Sequence, residues 1–159
     1  MEKGEKMKYV LNSHHYGNKI IPGDTLNTIT QTIESIDYEM KMYGASELRK
    51  TLMNGFLQFG WVGPIRLDYD SKISITAQKN NVGLCLQLGN ICRIYADMMK
   101  LQSLYLKKII DSAIIVVPSK GTSKILCESN MVSYERVEKE FPIFSDIITV
   151  PLIVIGFME

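Results

Sequence analysis

The side chains best placed to do chemistry lie in the stretch Asn81-Val82-Gly83-Leu84-Cys85-Leu86-Gln87-Leu88-Gly89-Asn90. An apolar run closed by Gly-Asn and followed by a helical pattern reads as a buried strand turning into a helix. A strand that ends beside a helix often offers a carboxylate to a metal ion; this one offers a thiol at Cys85 and an amide at Gln87. A nucleophilic Cys85 would need a base and an electropositive setting. On an apolar strand, a small buried thiol is the plainer reading. Carboxylates stand nearby at Asp68 and Asp70, two apart and therefore on one face of an extended segment. They could reach a metal if that segment runs beside residues 82–88; otherwise they form a solvated strand face flanking Arg66. Glu47 on the second helix is a candidate fourth ligand, and Asp97 is expected to face solvent or cap a contact from the next helix. His14 and His15 are adjacent, so they point in different directions, and a polar turn accounts for them without a metal. Ser119-Lys120-Gly121-Thr122-Ser123-Lys124 has the residue types of a phosphate loop without the spacing of a Walker motif. It is expected to be a polar loop, either a connector or a clasp for a phosphodiester backbone.

Apolar spacing supplies the elements that must position these groups. Lys8–Asn12 reads as a short strand ended by a polar loop from Ser13 to Gly17. Pro22-Gly23-Asp24 reads as a turn, with Asp24 or Thr25 capping a helix whose stripe is Leu26, Ile29, Ile33, Ile36 and Met40. Gly44 ends it, and a second helix runs from Ala45 through Leu48, Leu52 and Phe56 to Gly60. The two form a pair covering one side of a sheet. Period-two alternation follows in Ile65, Leu67, Tyr69 and in Ile73, Ile75, Ala77, as expected of half-buried strands. Lys79-Asn80-Asn81 reads as a hairpin turn into the strand 82–88. A long helix covers 91–110, and Ala113–Val117 is a strand buried on both faces. A short helix over 134–140 before Pro142 and a last buried strand over 152–157 complete an α/β pattern with a mixed central sheet.

The chain has 159 residues, 46% of them hydrophobic and 22% charged, which suits one domain with a sizeable core. Residues 1–7 are expected to be disordered. A net charge of +1 imposes no nucleic-acid partner, though a local basic face would suffice for one. No run approaches the ~18 apolar residues of a membrane span, and the charged start does not resemble a secretory signal. Cys85, Cys92 and Cys127 are odd in number and widely spaced, which points to a reducing compartment and a cytoplasmic location.

The layout of hairpin, buried strand, crossing helix and second buried strand is that of the PD-(D/E)xK nuclease core. Leu84-Cys85-Leu86-Gln87-Leu88-Gly89-Asn90 resembles the Glu-x-Gln-Phe-Gly stretch of BglII/BstYI-like type II restriction endonucleases. Ser13-His14-His15-Tyr16-Gly17 resembles that family's Ser-His-x-Asn-Gly turn, and Ile33-Glu34-Ser35-Ile36-Asp37 the end of its first helix. Tyr95, Asp97 and Met98, then Ser133-Tyr134, then Pro151-Leu152-Ile153-Val154-Ile155-Gly156 have counterparts in the same order. The family's members are longer, so parts of their recognition and dimer arms must be absent here.

The resemblance implies a magnesium site held by an Asp on the first hairpin strand and a Glu on the second, oriented by a Gln two residues on. In this chain those positions are Thr76, Cys85 and Gln87. A hydroxyl and a soft thiol replace two hard anions, so the inherited chemistry is expected to be lost and no cofactor is expected. The resemblance also implies DNA contacts from Asn90, Asn130 and Ser133 to base edges and from Lys120 and Lys124 to phosphates. Lys107 and Lys108 could add phosphate affinity or complement the helix dipole. The expected function is duplex-DNA binding by an inactive nuclease fold acting as a homodimer through the 91–110 helix. Two alternatives remain open: a magnesium-dependent endonuclease with ligands relocated to Asp68 or Asp70, and an adaptor using the fold for protein contacts.

Overall fold

The computed structural model describes residues 5–127 and 129–159. In chain order the elements are β1 (Lys8–His14), α1 (Gly17–Ile20), α2 (Gly23–Ser35), α3 (Ala45–Gln58), β2 (Ile65–Arg66), β3 (Ser74–Ile75), β4 (Ala77–Lys79), β5 (Val82–Leu86), α4 (Arg93–Leu106), β6 (Ser112–Pro118), α5 (Lys120–Leu126), α6 (Tyr134–Phe144) and β7 (Leu152–Met158). Five strands form one mixed sheet in the order β1-β7-β6-β5-β4, and β2 and β3 form a separate pair. β5, β6 and β7 are parallel, while β1 and β4 close the two edges antiparallel.

Both faces of the central strands are covered, so alternate residues of a continuous apolar run enter two different cores. Leu84 and Leu86 of β5, Ile114 and Val116 of β6, and Ile153 and Ile155 of β7 pack under α2 and α3. Cys85, Ile115 and Val154 point the other way, under α4 and α6. The helical pair expected over one side of the sheet is therefore present. Ile29 and Ile33 of α2 meet Leu48, Leu52 and Phe56 of α3 in the first core.

The hairpin at 80–81 forms as expected: Asn80 and Asn81 take positive φ values of 49° and 61°, and Lys79 pairs with Val82. Two asparagines tolerate that left-handed backbone better than most residues. The Asn80 amide also donates to Thr25 Oγ1 at 2.9 Å, tying the turn to α2. Gly17 is needed for contact, because a Cβ there would lie 2.4 Å from the Leu152 carbonyl oxygen.

Several expectations are corrected. Met7 is buried in the core rather than disordered, while residues 1–4 of the same expectation lie outside the described residues. β1 continues to His14, two residues into the expected loop. α2 starts at Gly23 without a side-chain cap and stops at Ser35; Ile36 and Met40 still bury, but from the irregular segment after the helix. A four-residue spacing satisfied either conformation, and the Met40 amide is held by Glu159 Oε1 at 2.8 Å. The segment carrying Asp68 and Asp70 is not a strand, since β2 ends at Arg66 and both aspartates are exposed. The strand expected over 73–77 is broken at Thr76 into β3 and β4. Ser119–Ser123 is not a loop: Ser119 caps α5, its hydroxyl accepting from the Thr122 amide. α6 runs past Pro142 to Phe144, with the proline in its last turn. Among the described residues no helix is long and apolar enough to cross a membrane.

Candidate functional site

Because β5, β6 and β7 are parallel, their carboxyl ends share one edge, where ligands commonly bind in open α/β sheets. At that edge a cavity of about 870 Å³ opens between α3 and the first turns of α4. Its floor is Leu86-Gln87-Leu88-Gly89 and one wall is Ser74-Ile75-Thr76. Gly63 closes that wall at contact distance, since a Cβ there would lie 2.0 Å from the Thr76 carbonyl oxygen.

Thr76, Cys85 and Gln87 are brought together, as the spacing of a hairpin requires. The Leu86 amide donates to Thr76 Oγ1 at 3.0 Å, so this hydroxyl already serves the backbone. Cys85 is buried on the α4 face; burial pushes its thiol far above the ordinary value, and the Asp97 carboxylate adds to the rise. Burial of this kind favours the protonated thiol, whereas a nucleophile or a metal ligand needs the thiolate. Gln87 extends the ladder to β6, its amide donating to the Val116 carbonyl at 2.9 Å. Its side chain donates from Nε2 to Asp97 Oδ2 at 2.6 Å and accepts from the Gly89 amide at 3.0 Å.

Asp97 is therefore not a solvent-facing residue but a buried one, at 6% exposure. Its second oxygen receives Lys100 Nζ at 3.3 Å. The signal was in the sequence: Ile94, Asp97 and Leu101 share a helical stripe, and a charge on an apolar stripe needs a partner.

Three cations went unremarked in the sequence. Arg93, Lys100 and Arg49 line the cavity, and Asp97 is the one carboxylate among its lining residues. Arg93, Ala96, Asp97 and Lys100 fall at helical spacing on one face of α4. Arg49 is set by α3 and donates from Nη1 to the Leu86 carbonyl. Burial pulls its guanidinium below the ordinary value, Asp97 opposes that shift, and Arg93 adds to it.

These side chains do not fit magnesium, which needs near-octahedral oxygen ligands carrying negative charge. Among the described residues no three His, Cys, Asp or Glu side chains converge to hold a metal ion. Asp68 and Asp70 are not among the residues lining the cavity, and Glu47 pairs with Lys41 at 2.7 Å on the surface.

The expected DNA-contacting residues divide into two groups. Asn90 and Met131 form a β-bridge, and the Ile91 amide donates to the Asn130 carbonyl at 2.8 Å, so the Asn90 and Asn130 segments are joined. Lys120, Lys124, Asn130 and Ser133 line one smaller cavity of about 210 Å³. Ser133 is 7% exposed there, less open than a base-reading side chain was expected to be. The first amide of α5, at Lys120, is taken by Glu135 Oε2 at 2.7 Å. Lys107 and Lys108 are not brought to this edge: they end α4 beside Asp111, whose amide bonds Asn81 at the opposite end of β5. His14 and His15 both turn towards α6, His14 against Glu138 at 2.9 Å and His15 against the Ser145 carbonyl at 2.9 Å.

Two outcomes follow from the geometry. In the folded protein a thiol reagent should label exposed Cys92 rapidly and Cys85 only after unfolding, which mass spectrometry of the labelled peptides reads directly. Gln87→Ala leaves a buried carboxylate short of a donor and should cost about 1–3 kcal/mol in urea unfolding. Asp97→Ala combined with it should be markedly less than additive; additive losses would mean that the bond contributes nothing.

The family described as "Restriction endonuclease BglII/BglIII" matches residues 9–157. Among solved structures, the crystal structure of restriction endonuclease BglII complexed with a DNA 16-mer is similar with a TM-score of 0.85. The two share 11% sequence identity over 96% of this chain and 77% of that one. No curated protein sequence matches at a significant level. The mixed sheet flanked by helices is the restriction-endonuclease fold. The match spans nearly all of the sequence, and the chain belongs to the BglII/BglIII restriction endonuclease family.

Proposed function

We propose that the protein binds duplex DNA as a homodimer and does not cleave it. One observation carries the reading: at the end of β5 the positions that the resemblance assigns to two metal-holding anions are Thr76 and Cys85, beside a retained Gln87. Metal-assisted hydrolysis needs a bound cation to lower the pKa of a water and to neutralise the phosphate. A committed hydroxyl and a buried protonated thiol supply no site for that cation.

Binding is supported by position. The BglII comparison is with a DNA complex. Here the carboxyl edge of the sheet gathers Arg49, Arg93 and Lys100 in one cavity and Lys120 and Lys124 in another. Clustered cations on one edge give the local basic face that a net charge of +1 would otherwise conceal. The homodimer is supported by α4, where Met99 and Leu106 are each 68% exposed two turns apart on one face.

A gel shift with mixed-sequence duplex at low salt in EDTA should show a complex, and supercoiled plasmid with magnesium or manganese should stay uncut. Reproducible nicking that Asp68→Ala abolishes would instead establish an enzyme with relocated ligands. No shift at low salt would leave the fold serving protein contacts. Light scattering should give the mass of two chains, and Met99→Lys with Leu106→Lys should give that of one.

A further inference from the structure

We propose that the cavity between α3 and α4 is a metal-independent anion site that grips a phosphodiester group of the DNA backbone, with Arg49, Arg93 and Lys100 providing the positive charge. It rests on the DNA-binding reading and adds to it the ligand chemistry of the converted centre. Three cations and one carboxylate line the cavity, so its unbalanced charge is positive, opposite to what a cation site requires. The single carboxylate is engaged within the protein, one oxygen on Gln87 and the other on Lys100. Neither Arg49 nor Arg93 has a carboxylate within salt-bridge distance among the described residues.

Arg49 is the most constrained of the three. Its donation to the Leu86 carbonyl anchors one nitrogen of the guanidinium. A guanidinium has five N–H donors in a rigid fork, and its geometry matches two phosphate oxygens at once. Arg93 lies close enough to Arg49 for its charge to oppose that of the Arg49 guanidinium. An anion between them relieves that repulsion, and desolvation in a half-buried cleft strengthens the attraction. The volume, about 870 Å³, suits a nucleotide unit rather than a bare ion.

The test is fluorescence anisotropy of the whole protein with a mixed-sequence duplex in EDTA over a range of potassium chloride. Wild type is compared with Arg93→Gln and Lys100→Gln, both checked for folding by thermal melting. Arg49 is left intact because it also anchors Leu86. Each substitution should make log K fall less steeply with log salt, and the two together should reduce the steepness by about 0.9, the share of one phosphate contact. Magnesium replacing potassium at equal ionic strength should not tighten binding. Parallel melts with inorganic pyrophosphate separate backbone phosphate from free phosphate as the source. Duplex binding with unaltered slopes in both variants overturns the anion site and leaves the DNA reading standing. Duplex binding that tightens with magnesium also overturns it. No duplex binding, with pyrophosphate stabilising wild type but not Arg93→Gln/Lys100→Gln, upholds the anion site and overturns the DNA reading. If wild type responds to neither ligand, both fall.

Discussion

The hydrogen bond from Gln87 to Asp97 joins the end of β5 to the second turn of α4, and the geometry of the cleft follows from it. Asp97 sits on the buried stripe of α4 with Gln87 on one oxygen and Lys100 on the other, because an unpaired buried carboxylate is costly. With the Gln87 bond, α4 is held in the register that turns Arg93 and Lys100 towards the cavity. Gln87 is in turn fixed by the continuation of the β5–β6 ladder and by the Gly89 amide. Arg49 completes the frame from the opposite side by bonding the residue before Gln87.

That frame carries an excess of positive charge where hydrolytic chemistry would need anionic ligands for a metal ion. The family membership and the sheet order describe a nuclease scaffold. The side chains inside it describe a different electrostatic surface, in which threonine and cysteine have been absorbed into structure. Thr76 now stabilises the break between β3 and β4 through the Leu86 amide, and Cys85 fills space beneath α4. A buried thiol packs as a small apolar group, so Cys85 suits the core beneath α4.

Much of the architecture was legible because apolar periodicity is a direct consequence of which surface each residue buries. The runs at β5, β6 and β7, the hairpin at Asn80-Asn81 and the α2–α3 pair all follow from it. The errors have local causes. Ile36 and Met40 keep helical spacing in a segment that is not helical, so periodicity alone could not separate the two. Ser119–Ser123 looked like a loop because small hydroxyl residues favour loops, yet Ser119 is the cap of a short helix. The resemblance pointed to the floor and wall of the cleft and not to the cations that line it. Thr76, Cys85 and Gln87 were found by resemblance, whereas Arg49 lies 38 positions before Gln87 and reaches the cleft only through tertiary packing.

The cations of the cleft are covalent parts of the chain. A guanidinium remains charged across the physiological range and cannot be stripped by a chelator. The polarity of this cavity is accordingly set at synthesis: no dissolved ion has to arrive before it is positive, and none can be withdrawn to switch it off.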